Sequence, residues 1–498
     1  MAQVILVGIT CFATVGMFSA VSNLGAGGLS DVALSDTANG VLYGCFAVVG
    51  LVSGGICNLI GPRLTLFIGT LGYALYVGSL WCSLLLDLPT RPVELLMVLL
   101  CQGCRLAICP LKHAFLLLYQ TQGTGWFVIL AGALLGISAA LLWSAQGCIM
   151  MSYPMEKDKG KAFGVFWAIY QLGSLIGSLV ALAINLRQGG LSTVSTSTYI
   201  AFLVIIFVGV ASSFSILPPN KVIRADDTIV KLNTASKLSV EFVGLLRLFK
   251  DWRMVALAPM CFASNYFYAY LGAVNAARFD GPTRALNATL EGAGSIIGAL
   301  FMGYVVLDIK GLQRRTRGYL GLAVATAATI IVWSSGLAWQ VTFDRWDVDH
   351  KGNPNALPPI SYKDSDYRGK GALYFFYFFS GACYLGLPYW IMSALTNDPF
   401  TLARYAGLYK ALQSAGAAGS FGMDAVATPF LNEHLASWTM LLFSFPLAYL
   451  VLRTVKETNY DVEKMVYVDD VKRDAAEQGT AVMTTSSSVK KNDVEIVE

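Results

Sequence analysis

Apolar segments of membrane-spanning length recur along this chain, from Val4 to about Leu452, and short stretches rich in Gly, Asn and charge separate them. A helix needs roughly 20 mostly apolar residues to cross a bilayer, because in hydrocarbon every backbone N–H and C=O must be satisfied within its own helix. The composition agrees: 55% of the residues are hydrophobic and 13% are charged, whereas soluble domains carry about 25% charge. The sequence therefore predicts a polytopic helical membrane protein that functions through a path or cavity between helices.

The apolar segments divide into two sets of six. We predict spans at about 4–22, 40–60, 64–86, 124–147, 162–186, 198–217, 254–273, 286–307, 318–338, 372–393, 405–427 and 434–453. The predicted fold is all-α, with twelve transmembrane helices in two six-helix bundles. The predicted division is a first bundle at 1–217, a linker at 218–253, a second bundle at 254–455 and a disordered tail at 456–498.

The distribution of cations orients the predicted bundle. Lys and Arg accumulate in cytoplasmic loops of membrane proteins. If the 218–253 linker, which carries seven Lys and Arg, is cytoplasmic, then the cations at Arg63, 157–161, 310–317 and Arg404 fall on the same side. The 23–39 loop on the opposite side carries none. The chain is therefore predicted to be a multi-pass integral membrane protein with both termini in the cytoplasm.

One apolar segment does not fit this pattern. Residues 92–119 include Arg105, Pro110, Lys112 and His113. A cation at the centre of a span is unfavourable by about 2.5–3.5 kcal/mol, and a thirteenth span would invert every later loop. We predict that 89–123 is an insertion that forms an outer loop or an interfacial segment. Whether this insertion belongs to the native gene product is left open. A native start upstream of Met1 is left open too.

Two similar turns follow corresponding spans of the two sets. They contain Gly54, Asn58, Gly61 and Arg63 in the first copy, and Asp308 and Gly311 in the second. Both resemble, in degenerate form, the Gly-x-x-x-Asp-Arg-x-Gly-Arg-Arg signature of the major facilitator superfamily, with Asn58 where Asp is usual. An ordinary polar turn is the alternative for either copy alone. Two copies at matching positions favour a transporter built from internal repeats, with these residues at a cytoplasmic gate.

Longer strings carry a closer resemblance. They are LWSAQG at 142–147, MSYP at 151–154, FASNYFYAY at 262–270, TRALN at 283–287, LTNDP at 395–399 and YAGLYKALQSAG at 405–416. Together they resemble the fungal branch of the Unc-ninety-three-like (UNC93-like) family, a divergent part of the major facilitator superfamily, over about 4–88 and 124–455. The resemblance implies a twelve-helix bundle. Animal relatives are described as potassium-channel regulators or trafficking partners and fungal members as candidate transporters, and no substrate is implied.

Lys410 is the most distinctive polar residue within a predicted span. It lies six residues beyond Arg404, about 9 Å deeper at 1.5 Å per residue, and an ionisable group at such a position is a functional candidate. The alternative is a lysine that extends back to the interface. The full set of candidate cavity residues is Asn265, Tyr268, Tyr270, Lys410 and Gln413 in the second half, with Gln146, Tyr170 and Gln171 in the first. Ordinary packing and interfacial aromatic residues are the alternative for the tyrosines.

The sequence contains no phosphate-binding loop, no metal-ligand cluster and no nucleophile–base pair. This argues against an ATP-driven pump and against an enzyme, and no cofactor, metal or nucleic-acid partner is predicted. Buried carboxylates are scarce, so a uniporter or a carrier for neutral or amphipathic solutes fits better than a proton-coupled carrier. The first hypothesis is thus a secondary transporter of an unidentified small solute in a lipid bilayer. The alternative is a non-transporting regulator or trafficking partner of another membrane protein, such as an ion channel.

Overall fold

The structure is a computed structural model, and it describes residues 1–19, 32–86, 126–188, 196–224, 226–230, 237–349, 353–461 and 463. The predicted insertion at 89–123 lies outside the described residues, as does the tail beyond residue 463. Elsewhere the chain is almost entirely helical, with only isolated bridges between extended residues. The prediction of an all-α membrane protein is confirmed.

The first half of the chain forms six helical passes. They are α1 (Ala2–Cys11, continued as a π-helix over Phe12–Gly16), α2 (Val32–Ile60), α3 (Pro62–Leu86), α4 (Trp126–Ser152), α5 (Lys159–Gln188) and α6 (Thr196–Ser212). One Gly-Pro pair separates α2 sharply from α3. Gly61 ends α2, and Pro62 starts α3 at the position where its missing N–H is not needed. A short linker helix, α7 (Leu238–Lys250), follows α6.

The second half repeats this arrangement. Its helices are α8 (Trp252–Ala263), α9 (Tyr268–Arg278), α10 (Gly281–Leu300, continued as a π-helix over Phe301–Leu307), α11 (Arg314–Gln340), α12 (Tyr367–Leu395), α13 (Pro399–Ala425) and α14 (Phe430–Leu452). Helices α8 and α9 form one broken pass, so the described residues are consistent with twelve passes in two sets of six. Eight of the passes are long and apolar enough to span a membrane by length and composition.

Residues 264–267 turn in the middle of the seventh pass and separate α8 from α9. The Ser264 hydroxyl donates to the Cys261 carbonyl at 2.7 Å at the end of α8, and Pro259 removes one backbone donor earlier in that helix. The turn exposes polar atoms of Ser264 to the helices packed beside it.

The two halves contact each other most extensively at two helix pairs, α2 with α13 and α5 with α10, and α4 also packs against α13. Small residues line both contacts. Gly54 on α2 lies against the backbone of Ala403 and Arg404, and Gly160 on α5 lies against Gly303. A Cβ at Gly54 or Gly160 would overlap atoms of the opposite half. Glycine is what allows the backbones to approach so closely.

Both signature turns place glycine in the left-handed region. Gly61 and Gly311 each have φ of +85°, a conformation that other residues adopt only with strain. The two turns lie on one face of the bundle together with 153–158, the described residues 213–224 and 237–251, and 396–398. We call this face the linker side and the opposite face the far side. The same φ at the corresponding glycine of each half is what an internal repeat predicts.

The beginning of the predicted disordered tail is ordered. Glu457 accepts a hydrogen bond from the backbone N–H of Arg314 at 2.8 Å, and Asn459 donates to the Ala394 carbonyl at 3.1 Å. The described residues 456–461 and 463 thus include contacts to helix ends, and the disorder predicted for the tail as a whole stays a prediction. The charged residues of the tail predicted a segment surrounded by water, but its first residues contact the ends of helices on the linker side.

Gly54→Ala is expected to destabilise the protein by about 1–3 kcal/mol, because the new methyl group would overpack a backbone contact. Gly44→Ala on the same helix is the matched control, since nothing lies within 4 Å of the Cβ that it adds. Alanine also favours the helix over glycine by up to about 1 kcal/mol. Thermal unfolding in detergent would measure both. Equal unfolding midpoints for the two variants would show that α2 and α13 are not in close contact.

Candidate functional site

Lys410 lies in the middle of α13. It is the eleventh residue after Pro399 in a 27-residue helix, about 17 Å along the axis. The residue is only 2% exposed, so its side chain stays inside the bundle and does not reach the surface. This geometry favours the buried-site interpretation over a lysine that extends to the interface.

The Lys410 ammonium faces the first half of the protein. Its Nζ atom donates to Oε1 of Gln413 at 2.7 Å and lies 4.1 Å from the ring centre of Trp143 on α4. The rings of Tyr409 and Tyr389 lie 5.2 and 5.6 Å away. A cation at these distances is attracted by the negative faces of aromatic rings, more strongly when water is excluded. The contact with Trp143 joins the two halves near mid-membrane depth.

Gln413 connects Lys410 to the broken pass. Its amide Nε2 donates to Ser264 Oγ at 2.8 Å and to the Tyr409 hydroxyl at 3.1 Å. Because Lys410 and Gln413 are three residues apart on one helix, their side chains lie on the same face. The Ser264 hydroxyl thus gives the buried Gln413 amide a second acceptor beside the Tyr409 hydroxyl.

Aromatic rings of α5 extend this group on the side of the first half. The ring centres of Phe166, Trp167 and Tyr170 lie between 5.4 and 6.4 Å from that of Trp143. We define the central cluster as Trp143, Phe166, Trp167, Tyr170, Ser264, Tyr389, Tyr409, Lys410 and Gln413. Its members come from both halves.

The central cluster carries a cation without a matching acid. None of the salt bridges among the described residues includes Lys410. Its polar contact is the neutral oxygen of Gln413, supplemented by the rings. A buried charge is costly unless it is paired and hydrogen-bonded. Within the described part of the chain, the arrangement is therefore electrostatically incomplete.

The other predicted cavity residues of the first half are buried but play different parts. Tyr170 belongs to the central cluster. Gln146 on α4 is fully buried, with Nε2 at 3.3 Å from the Met150 sulfur. Gln171 is buried on α5. Gln146 and Gln171 are therefore buried, but neither contacts Lys410 directly.

The predicted residues of the broken pass separate onto different faces. Asn265 and Tyr268 are partly exposed, and the Tyr268 ring stacks on Phe267 at 4.7 Å. Tyr270 points into the second half, where its hydroxyl donates to Gln340 at 2.7 Å. Residues two apart on a helix do not share a face, so Tyr268 and Tyr270 do not line the same space. The structure does not bring Tyr270 into the central cluster.

Sequence reasoning missed a second polar group around Tyr270. Its hydroxyl lies 3.1 Å from Nδ1 of His434 on α14, and Nε2 of His434 lies 3.1 Å from the Trp333 carbonyl. The available signal was a histidine inside an apolar span, which marks a functional candidate. Ser264 and Tyr389 were also missed, and a hydroxyl or a ring within an apolar run gives no such signal.

The first signature turn meets the linker helix and the opposite half. Asn58 donates to Glu241 Oε2 at 2.9 Å and to the Phe400 carbonyl at 3.1 Å. Arg404 binds the same carboxylate with two hydrogen bonds of 2.8 and 2.9 Å. Asn58, Glu241 and Arg404 thus tie α2, α7 and α13 together. Arg63 takes no part, because its guanidinium lies over the Phe214 ring at 5.8 Å.

The second signature turn makes the corresponding contact with α5. Asp308 accepts a hydrogen bond from the backbone N–H of Lys161 at 2.6 Å, in the first turn of α5. Burial raises the pKa of the Asp308 carboxyl to about 6. The N–H groups of Lys161 and Gly160 favour the ionised form and partly oppose this shift, so protonation as the pH falls below about 6 relieves the cost of burial but weakens these hydrogen bonds. Each turn reaches the N-terminal turn of a helix in the opposite half.

A further polar network closes the linker side. Lys159 donates to the Ser393 carbonyl at 2.6 Å and to Asn397 Oδ1 at 2.8 Å. Glu156 accepts from Asn397 at 2.6 Å and lies 3.3 Å from Arg314. These bonds connect the start of α5 with the ends of helices in the second half. The central cluster is therefore shut off from the linker side.

Asn58→Asp is expected to loosen the linker side, because it would place a second carboxylate 2.9 Å from that of Glu241. Removing the amide also leaves the Phe400 carbonyl without its donor. In a background whose other cysteines are replaced, the buried native Cys57 should then react faster with a water-soluble maleimide. Adding Glu241→Gln to Asn58→Asp should restore slow labelling, since the repulsion disappears. Identical rates for the wild type and Asn58→Asp would show that this contact does not close the linker side.

Solved structures share this fold. The proton:xylose symporter XylE of the major facilitator superfamily superposes with a TM-score of 0.56 at 12% identity, covering 91% of this chain and 94% of that one. The protein is therefore a multi-pass membrane protein with the major facilitator fold.

Sequence comparisons identify the family. Residues 103–335 match the family model described as ion channel regulatory protein UNC-93. UNC93-like protein 1 of Arabidopsis thaliana is 36% identical over 467 residues, covering 93% of this chain and 92% of the relative. An UNC93-like protein of Schizosaccharomyces pombe is 34% identical over 468 residues, covering 93% and 84%. This chain belongs to the UNC93-like family, and the family resemblance seen in the sequence is confirmed.

Proposed function

We propose that this protein is a secondary transporter that works by alternating access, with its substrate site in the central cluster. The substrate we propose is a small organic anion with a flat apolar body. The single observation that carries the proposal is the buried ammonium of Lys410, which faces the opposite half and pairs with no described carboxylate.

The charge of the substrate follows from this imbalance. A carboxylate bound beside Lys410 would form a charge-assisted hydrogen bond in a site from which water is largely excluded. Gln413 and Ser264 would give additional donors and acceptors. The sequence alone favoured neutral or amphipathic solutes, because it gave no view of how completely Lys410 is buried.

The shape of the substrate follows from the rings around Lys410. Trp143, Tyr389 and Tyr409 present aromatic surface to the same space as the ammonium. Flat apolar groups pack well against such rings in offset or edge-on arrangements. A compact aromatic acid would satisfy both the ammonium and the rings.

The direction of access follows from the closed linker side. We assign this side to the cytoplasm, because its loops carry most of the cations. In the transport cycle two contacts would break as the halves rock about the central cluster. They are the contact of Glu156 with Asn397 and that of Glu241 with Arg404. Major facilitator halves are related by an axis along the membrane normal, so such rocking is the expected motion.

Lys410→Met is expected to weaken the binding of benzoate about tenfold or more, because it removes the charge that pairs with the carboxylate. Thermal unfolding in the presence of benzoate, with benzamide as the uncharged analogue, would measure this. Benzoate should stabilise the wild type more than benzamide does, and the variant should show no preference. Lys370→Met is the matched control, since Lys370 pairs with Asp366 outside the cluster. A preference for benzoate that survives Lys410→Met would contradict the assignment.

Cross-linking of the linker side is expected to stop transport. Glu156 and Asn397 lie in opposite halves and are joined by a 2.6 Å hydrogen bond, so cysteines at both positions can be bridged by a short, cleavable bifunctional thiol reagent. Uptake of benzoate into proteoliposomes should fall after bridging and return when the bridge is cleaved. Each single cysteine variant is the control for modification alone. Full uptake by the bridged protein would exclude rocking at this side.

The second candidate is a non-transporting regulator of another membrane protein. The description of the matching family model as an ion channel regulatory protein supports it. The Lys410→Met variant distinguishes the two candidate functions. A regulator that uses only the outer surface of the bundle would keep its effect on a partner channel in the Lys410→Met variant, whereas a transporter would lose uptake.

A further inference from the structure

The linker helix α7 has an apolar face that the described residues of the protein leave uncovered. Leu238, Phe242, Leu246 and Phe249 recur every three or four residues, so their side chains share one face. Their exposed fractions are 74%, 61%, 47% and 51%. Four large apolar side chains in one stripe would be unfavourable in water, so this face needs an occupant.

A second face of α7 fixes how the helix sits on the protein. Glu241, Gly244 and Leu248 are buried, and the Glu241 carboxylate binds Asn58 and Arg404. At 100° per residue this face is about a quarter to a third of a turn from the apolar stripe. The helix therefore lies sideways against α2 and α13 and presents the stripe in another direction.

The third face of α7 carries basic residues. Arg247 and Lys250 are exposed on the side of the stripe away from Glu241, beside the exposed Val240 and Val243. Lys237 stands exposed just before the helix. Basic residues beside an apolar stripe, on a helix too short to span a bilayer, are the signature of a helix that lies in the membrane interface.

The connection to α8 sets the depth of this helix. Asp251 ends α7 and caps α8, which begins the seventh pass at Trp252. The indole of Trp252 is itself half exposed, and tryptophan is enriched at membrane interfaces. Because α7 runs directly into a transmembrane helix, its stripe lies at the level where lipid headgroups meet acyl chains.

We propose that α7 is a binding surface for anionic phospholipid in the leaflet on the linker side. Leu238, Phe242, Leu246 and Phe249 insert among the upper acyl chains. Arg247 and Lys250 pair with headgroup phosphates and carboxylates. Each cation near an anionic surface strengthens such binding about fivefold. This surface is distinct from the central cluster and does not depend on which solute, if any, the protein carries.

Spin labels on the full-length protein in lipid nanodiscs test the position of α7. Cysteine-attached nitroxides at Phe242 and Phe249 should be several-fold more accessible to oxygen, relative to a water-soluble nickel chelate, than a label at Arg247. Wild-type protein without an introduced cysteine, treated with the same spin label, controls for labelling of the native cysteines. High nickel accessibility at Phe242 and Phe249 would place the stripe in water and overturn the proposal. Low accessibility to both reagents would show that a protein, such as a second copy of the chain, covers it.

The lipid composition of the nanodisc tests the role of the cations. The oxygen-to-nickel ratio at Phe242 should increase when phosphatidylserine is mixed into phosphatidylcholine, and added salt should reverse the increase. Arg247→Gln with Lys250→Gln should abolish it. Arg368→Gln with Lys370→Gln, a cation pair on the far side, is the matched control and should retain it. A ratio that is the same in both lipids for the wild type would exclude recognition of anionic lipid.

Discussion

Close backbone contact between the two halves is the constraint on which the rest of this structure depends. Gly54 lets α2 approach the backbone of α13, and Gly160 and Gly303 do the same for α5 and α10. In a bilayer no hydrophobic driving force brings helices together, so van der Waals packing of small residues must do so. With bulkier residues at these points, Lys410 would not reach Trp143, and Asn58 would not reach the Phe400 carbonyl. The site and the closed linker side are thus consequences of the same contacts.

A lysine in the core of such a bundle is tolerated because every partner in reach is suited to a cation. The ammonium has one amide oxygen at 2.7 Å and three ring faces within 5.6 Å. Rings give part of the stabilisation that water would give, without supplying a counter-charge. A bound anion would complete the neutralisation, and its departure would restore the present state. A site that is stable when empty and better satisfied when occupied is what a carrier requires.

The spans could be predicted from the sequence because hydropathy is averaged over about 20 residues and needs no knowledge of packing. The turns at Gly61 and Gly311 could be recognised because their glycines answer a local backbone requirement, φ of +85°. The contacts of the site could not be foreseen in the same way. Which way a side chain points around a helix axis depends on the neighbours of that helix. Tyr268 and Tyr270 lie in one motif yet face different spaces, and the partner of Asn58 lies 183 residues away in the linker.

The unusual Asn58 has a physical explanation in the linker helix. In the second turn Asp308 supplies its own carboxylate and receives the N–H of Lys161. In the first turn the carboxylate comes from Glu241, and Arg404 already binds it. An aspartate at position 58 would face that carboxylate, whereas the asparagine amide can donate to it. The two related contacts therefore differ in one respect. The polar contact of the second turn with α5 is complete within the bundles, whereas Asn58 is joined to Arg404 only through Glu241 of α7, so only this pairing depends on where the linker helix lies.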